Sequence, residues 1–283
     1  MLRRLRSGSL LVAIVMIVSV TRPCVASVQK AGASIPPDRP VVKAAALYMV
    51  ELQSGKVLLE KNATRRLPPA SLTKIMTAMV ALEAGSLEQV VTMDPRALVN
   101  RSSLGFHSGE QFFLRDLVTA MLVNSANDAC EAVAFHVAGS EAQFVAKMNE
   151  QAQALKLEDT HFTNPCGFDA PEHYSTAVDL AKLTDHALQV PAFSMMVRTV
   201  TRTITTVDGK RQVSLHSTNE LLLDPDVTGV KTGYTGKAGR CLIASMFKEG
   251  QRLLLVGLNV DDQWEQAARL LRYGQAVLRA AND

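Results

Sequence analysis

Apolar and polar positions along the chain fall into blocks with distinct periods. Leu72, Ile75, Met76, Met79, Val80 and Leu82 recur at helical spacing, which predicts a helix with a broad apolar face. Pro68-Pro69 stops what precedes it and Gly85 marks its end. Upstream, 44–50 and 56–60 flank the turn Gln53-Ser54-Gly55, the pattern of a β-hairpin. The span 88–93 reads as a weak strand, and the stretch on to Glu110 reads as loop. Residues 114–157 are nearly all helical in pattern. They fall into three segments, 114–123, 128–138 and 141–155, broken at Asn124-Ser125-Ala126-Asn127 and at Gly139-Ser140. A short extended piece at 160–165 precedes helices at 175–189 and 191–197. A second hairpin follows around Asp208-Gly209, then strands at 227–233, 240–247 and 252–260 and an amphipathic helix at 263–278.

Strands at both ends with helices between them predict an α/β (α+β) fold. One antiparallel sheet is built from both chain ends and flanked by helices, with an all-helical insert over about 94–200. Residues 44–283 form a single domain in this reading, with neither a second β domain nor a C-terminal anchor. The last helix, with Leu270, Leu271, Val277 and Leu278, is expected to pack on the core.

Composition changes the picture at the front of the chain. Arg3, Arg4 and Arg6 precede the apolar run 10–20, and Cys24-Val25-Ala26-Ser27 offers a small-residue cleavage site. Residues 1–26 thus read as a secretory signal peptide, and 27–43, with Pro36-Pro37 and Pro40, as an extended leader. Cleavage after Ala26 removes four arginines and no acid, leaving 26 Lys+Arg against 27 Asp+Glu. The formal charge then moves from +3 to −1, which removes any charge-based case for nucleic acid. The signal pattern implies export from the cytoplasm. Cys130, Cys166 and Cys241 remain, an odd and widely spaced set. It is neither a disulfide framework nor a metal-ligand pattern, so no metal or cofactor is expected. Free buried thiols are expected, with room for at most one bridge.

Candidate chemistry begins at Ser71 and Lys74, three residues apart on one side of the predicted helix. A hydroxyl at a positive helix end with an amine one turn away can act as nucleophile and base. The bland alternative is a capping serine beside a solvated lysine. Two other Ser-x-x-Lys pairs occur, Ser27/Lys30 in the leader and Ser245/Lys248 in a strand, where such a spacing points to opposite faces. Ser125-Ala126-Asn127 sits at a helix break, where side chains can face a cleft; Ser217-Thr218-Asn219 is a second Ser-x-Asn after a hairpin. Lys231-Thr232-Gly233 closes a strand whose flanking glycines admit another backbone. A sheet edge there can hold a peptide by strand addition.

In this order the three pieces resemble the penicillin-binding protein and serine β-lactamase superfamily. Ser125-Ala126-Asn127-Asp128-Ala129-Cys130, Asn164-Pro165-Cys166-Gly167-Phe168-Asp169 and Lys231-Thr232-Gly233-Tyr234-Thr235 look like the low-molecular-weight D-alanyl-D-alanine carboxypeptidases. The resemblance covers essentially 44–283. It implies a serine acyl-enzyme that cleaves the terminal D-Ala-D-Ala bond of peptidoglycan stem peptides and is acylated by β-lactam antibiotics. Carried over, Ser71 is the nucleophile, Lys74 its base and Ser125 a proton relay. Asn127 binds the substrate amide, and Lys231 and Thr232 grip the terminal carboxylate. The backbone N–H groups of Ser71 and Tyr234, beside Gly233, form the oxyanion hole.

One departure matters. The best-known members place an Arg near the start of the last helix to assist carboxylate binding, and Gln263 occupies that place here. An endopeptidase cutting D,D crosslinks is therefore the leading variant. A β-lactamase and a non-catalytic penicillin sensor are the remaining alternatives.

Overall fold

The computed structural model describes residues 38–282; the signal peptide and most of the leader read from the sequence lie outside them. The elements, in chain order, begin with the hairpin β1 (Ala44–Glu51) and β2 (Val57–Lys61). A 3-10 turn at Ala70–Thr73 then runs into α1 (Lys74–Glu83), followed by the short pair β3 (Val90–Thr92) and β4 (Gln111–Phe113). Five helices come next: α2 (Leu114–Val123), α3 (Asn127–Ala138), α4 (Glu141–Ala154), α5 (Ala177–Leu188) and α6 (Pro191–Val197). The hairpin β5 (Thr201–Thr205) and β6 (Gln212–His216) precedes the meander β7 (Val227–Thr235), β8 (Gly239–Lys248) and β9 (Gln251–Val260), and α7 (Gln263–Asn282) ends the fold.

The main sheet is antiparallel, in the order β2-β1-β9-β8-β7. Both chain ends therefore meet at its centre, where Met49 lies opposite Leu255. Strands β8 and β9 are buried on both faces, which is why 241–246 and 253–258 read as continuous apolar runs rather than as alternation. One face (Val50, Ile243, Leu254, Val256) packs on the helical core. The other (Met49, Leu242, Leu253, Leu255) packs under α7 through Ala267, Leu270, Leu271 and Leu278. The last helix is a structural cover for the sheet. Among the described residues no helix is long and apolar enough to cross a membrane.

α1 runs through the middle of the helical core. Leu72, Ile75, Met76, Ala78 and Met79 are fully enclosed, so this helix is buried all round rather than along one stripe. It also starts later than its sequence suggests. Ala70 has a positive φ of 51°, and Ala70–Thr73 forms the 3-10 turn that carries Ser71. The weak strand read at 88–93 is present as β3, and its partner was not read from the sequence. Gln111–Phe113 pairs with Val90–Thr92, an edge too short to show a period.

The thiols depart from expectation. Cys130 on α3 and Cys166 are joined in a disulfide, with Cα atoms 6.0 Å apart, inside the range a bridge spans. Cys241 remains free and buried. The expectation of free thiols fails because it rested on the count and the 36-residue separation. Only the packing of α3 against the Asn164–Gly167 loop brings the two sulfurs together.

Candidate active site

Three walls meet at Ser71. The 3-10 turn supplies Ser71, with Lys74 one turn on at the start of α1. The break between α2 and α3 supplies Ser125, held at φ 60°, and Asn127. The edge strand β7 supplies Lys231, Thr232, Gly233 and Tyr234. Two glycines set how tightly the walls close. A Cβ on Gly233 would stand 2.8 Å from the Ser71 nitrogen, and one on Gly167 would stand 1.9 Å from the Ala70 carbonyl oxygen. The serine turn is clamped between these two backbones, and a side chain at either position would open the clamp.

Lys74 is fully enclosed. Its Nζ lies 2.7 Å from Asn127 Oδ1, 2.8 Å from the Cys166 carbonyl oxygen and 3.0 Å from Ser71 Oγ. Asn127 is oriented from its other end, where Nδ2 donates to the Arg101 carbonyl at 2.7 Å. Burial, then the like charge of Lys231, push the Lys74 amine well below the usual lysine range, while Glu131 acts in the opposite sense. A neutral amine has two N–H bonds and one lone pair. The two carbonyl oxygens can only accept, so they take both N–H bonds. The lone pair is left for the Ser71 hydroxyl to donate into. This arrangement can draw a proton from Ser71 as its oxygen attacks a carbonyl carbon.

Lys231 is also enclosed, and its Nζ donates to Ser125 Oγ at 3.0 Å and to the Thr232 carbonyl at 2.8 Å. Burial brings it down to about 7. It can therefore gain or lose a proton near neutrality through Ser125. Thr232 Oγ1 pairs with Thr218 Oγ1 at 2.6 Å, and Tyr234 is largely exposed at the mouth.

All eight residues singled out in the sequence thus surround one cleft, and the solvated-lysine alternative for Lys74 does not hold. Sequence reasoning misses four participants. The Cys166 carbonyl holds Lys74, and a backbone oxygen leaves no side-chain signature. Thr218 belongs to the second Ser-x-Asn, which on pattern alone is only a chance copy, yet it stands against Thr232. Arg240 on β8 lines the cleft beyond Thr232. Glu131, one turn after Asn127, is 5% exposed and raised to about 7, chiefly by burial; a lone acid in the otherwise apolar stretch of α3 is its visible signal. Among the described residues no group of His, Cys, Asp and Glu is arranged to hold a metal ion.

The family model described as D-alanyl-D-alanine carboxypeptidase matches residues 33–262. The chain belongs to that family. D-alanyl-D-alanine carboxypeptidase DacF of Bacillus subtilis is 33% identical over 81% of the chain, and the chain spans 61% of that relative's length. DacB2 of Mycobacterium tuberculosis is 32% identical, with 89% of this chain and 88% of the relative covered. Among solved structures, the Streptomyces K15 DD-transpeptidase superposes with a TM-score of 0.78 at 28% identity, covering 85% of this chain and all of that one. The sheet-and-helix architecture described above is thus that of the penicillin-binding D,D-peptidases.

Proposed function

We propose that the chain is an exported serine D,D-peptidase that cleaves the terminal D-Ala-D-Ala bond of peptidoglycan stem peptides. The observation that carries this reading is the enclosed Lys74 amine, whose Nζ stands 2.7 Å from Asn127 Oδ1, 2.8 Å from the Cys166 carbonyl oxygen and 3.0 Å from Ser71 Oγ. Ser71 Oγ attacks the penultimate D-Ala carbonyl carbon as its proton passes to Lys74. The developing oxyanion is held by the N–H groups of Ser71 and Tyr234. Collapse breaks the C–N bond, and the departing D-Ala nitrogen takes a proton from Ser125, which Lys231 replenishes. Lys74 then gives up the proton it took and Lys231 regains one, both by exchange with solvent. Water attacks the ester as Lys74, neutral again, accepts its proton, and that proton passes to the Ser71 oxygen as the ester C–O bond breaks. Residues 44–283 act as the catalytic domain, with 94–200 as its helical wall.

A β-lactam presents a strained amide to the same serine and is expected to remain as an ester. The disulfide between Cys130 and Cys166 supports an oxidising compartment outside the cytoplasm, in keeping with the signal pattern of residues 1–26. Intact-mass spectrometry after benzylpenicillin tests the reading. The wild type should gain one penicilloyl group, Ser71→Ala none, and the wild type should release D-Ala from a stem pentapeptide. A Ser71→Ala protein that still carries the adduct would disprove the assignment.

A further inference from the structure

Ser71 divides the cleft into two unequal halves. One half, of about 570 Å³, runs past Asn127, Gly167 and Asp169. The other, of about 420 Å³, runs past Ser125, Thr218 and Thr232 to Arg240 and Gln263. The second half has the chemistry of an anion site. No carboxylate side chain lines it; five serine and threonine hydroxyls and the Tyr234 phenol do, and Arg240 is its guanidinium. Arg240 sits on β8 directly opposite Tyr234 of β7 and is exposed. It forms no ion pair among the described residues. A guanidinium is a permanent cation with a planar fork of donors that fits a carboxylate.

The two lysines do not fill this role as simply. Burial holds both away from full charge, Lys74 well below the usual lysine range and Lys231 at about 7. Lys231 is moreover already engaged with Ser125 and a backbone carbonyl. The cleft half beyond Ser125 therefore draws its lasting positive charge from Arg240. Gln263 beside it leaves Oε1 buried without a hydrogen-bond partner. That acceptor can take a hydrogen from an arginine swung inward.

Resting on the D,D-peptidase reading, we infer that Arg240 is the specificity residue that receives the free carboxylate of the departing D-alanine, together with the Thr218 and Thr232 hydroxyls. The acyl part of the substrate then occupies the larger half. A peptide whose last residue carries an amide in place of the carboxylate loses this contact. The chain should accordingly favour a free C-terminus even though Gln263 stands at the start of α7.

The test compares diacetyl-L-Lys-D-Ala-D-Ala with the same peptide ending in D-alaninamide, using wild type, Arg240→Gln and Arg240→Lys. The wild type should prefer the free acid. Arg240→Gln should lose about tenfold or more in kcat/KM on the acid and less than about twofold on the amide, collapsing the preference. Arg240→Lys should recover part of it. Equal losses on both peptides, or no loss on either, would overturn the inference while leaving the D,D-peptidase reading intact. A wild type that cleaves neither peptide and is not acylated by benzylpenicillin removes that reading, and the role of Arg240 with it.

Discussion

At the scale of single residues, the site is a study in charge withheld. Two lysines are enclosed where an ordinary lysine would stay wet, and burial lowers the proton affinity of both. For each, the folded state lowers the proton affinity. The stabilising contribution is therefore fully present above the usual lysine range, near 10.5, and is lost as pH falls towards 7 for Lys231. Glu131 is raised to about 7, so its contribution is present below about 4.5 and fades as pH rises through 7. Acylation by benzylpenicillin should accordingly fall on the acid side of neutrality, as Lys74 and Lys231 take up protons and Glu131 loses its charge. Stopped-flow rates from about pH 5 to 9 check this, and a flat profile contradicts it. Lys74→Met should cut acylation by about 10²–10⁴-fold while raising the melting temperature at neutral pH, because a methionine carries no buried amine. The pairing of Ser71 with Lys74 could be read from spacing. Whether Lys74 was wet or dry could not, because burial depends on α3 and the Cys166 loop folding over it.

At the scale of elements, close backbone approach decides the geometry. Gly233→Ala places a methyl 2.8 Å from the Ser71 nitrogen. It should push β7 off the serine turn, lowering acylation by an order of magnitude or more with only a small change in unfolding midpoint. Gly167→Ala meets the Ala70 carbonyl at 1.9 Å and carries a positive φ of 86°, so it should damage folding itself. The disulfide acts on the same loop, because Cys166 contributes both its sulfur to α3 and its carbonyl to Lys74. Removing it through Cys130→Ala should cost about 3–4 kcal/mol for a loop of this length, measurable by urea denaturation. It should also slow acylation, since the carbonyl that orients the base loses its tether. Helix and strand identities were legible from pattern, a helical period in 114–123 and an unbroken apolar run bounded by turns in 252–260. β3 was legible as the weak strand at 88–93, but its partner β4 was not, because a three-residue edge shows no period. The bridge escapes the sequence because separation along the chain says nothing about which loop lies on which helix.

At the scale of the whole molecule, the sheet separates two cores. Leu271 is fully buried between α7 and the sheet. Leu271→Ala should therefore destabilise by about 2–5 kcal/mol while leaving the acylation rate per folded molecule nearly unchanged, since α7 packs on the face away from α1. Loss of acylation in a folded Leu271→Ala protein would mean that the two faces communicate. The general plan was readable from the order of strands, helices and strands. The depth to which α1 is buried was not, since both faces of its neighbours had to be known first.

The adjacency of β1 and β9 has one more consequence. Ser71, Lys74 and the Ser125 turn all leave the ribosome well before β9 does, yet β1 has only β2 beside it until β9 arrives. The wall that carries Lys231 also docks through that last-made sheet. A partly synthesised chain thus carries Ser71, Lys74 and Ser125 without the cleft that gathers them beside Lys231, and that cleft is complete only once β9 joins β1.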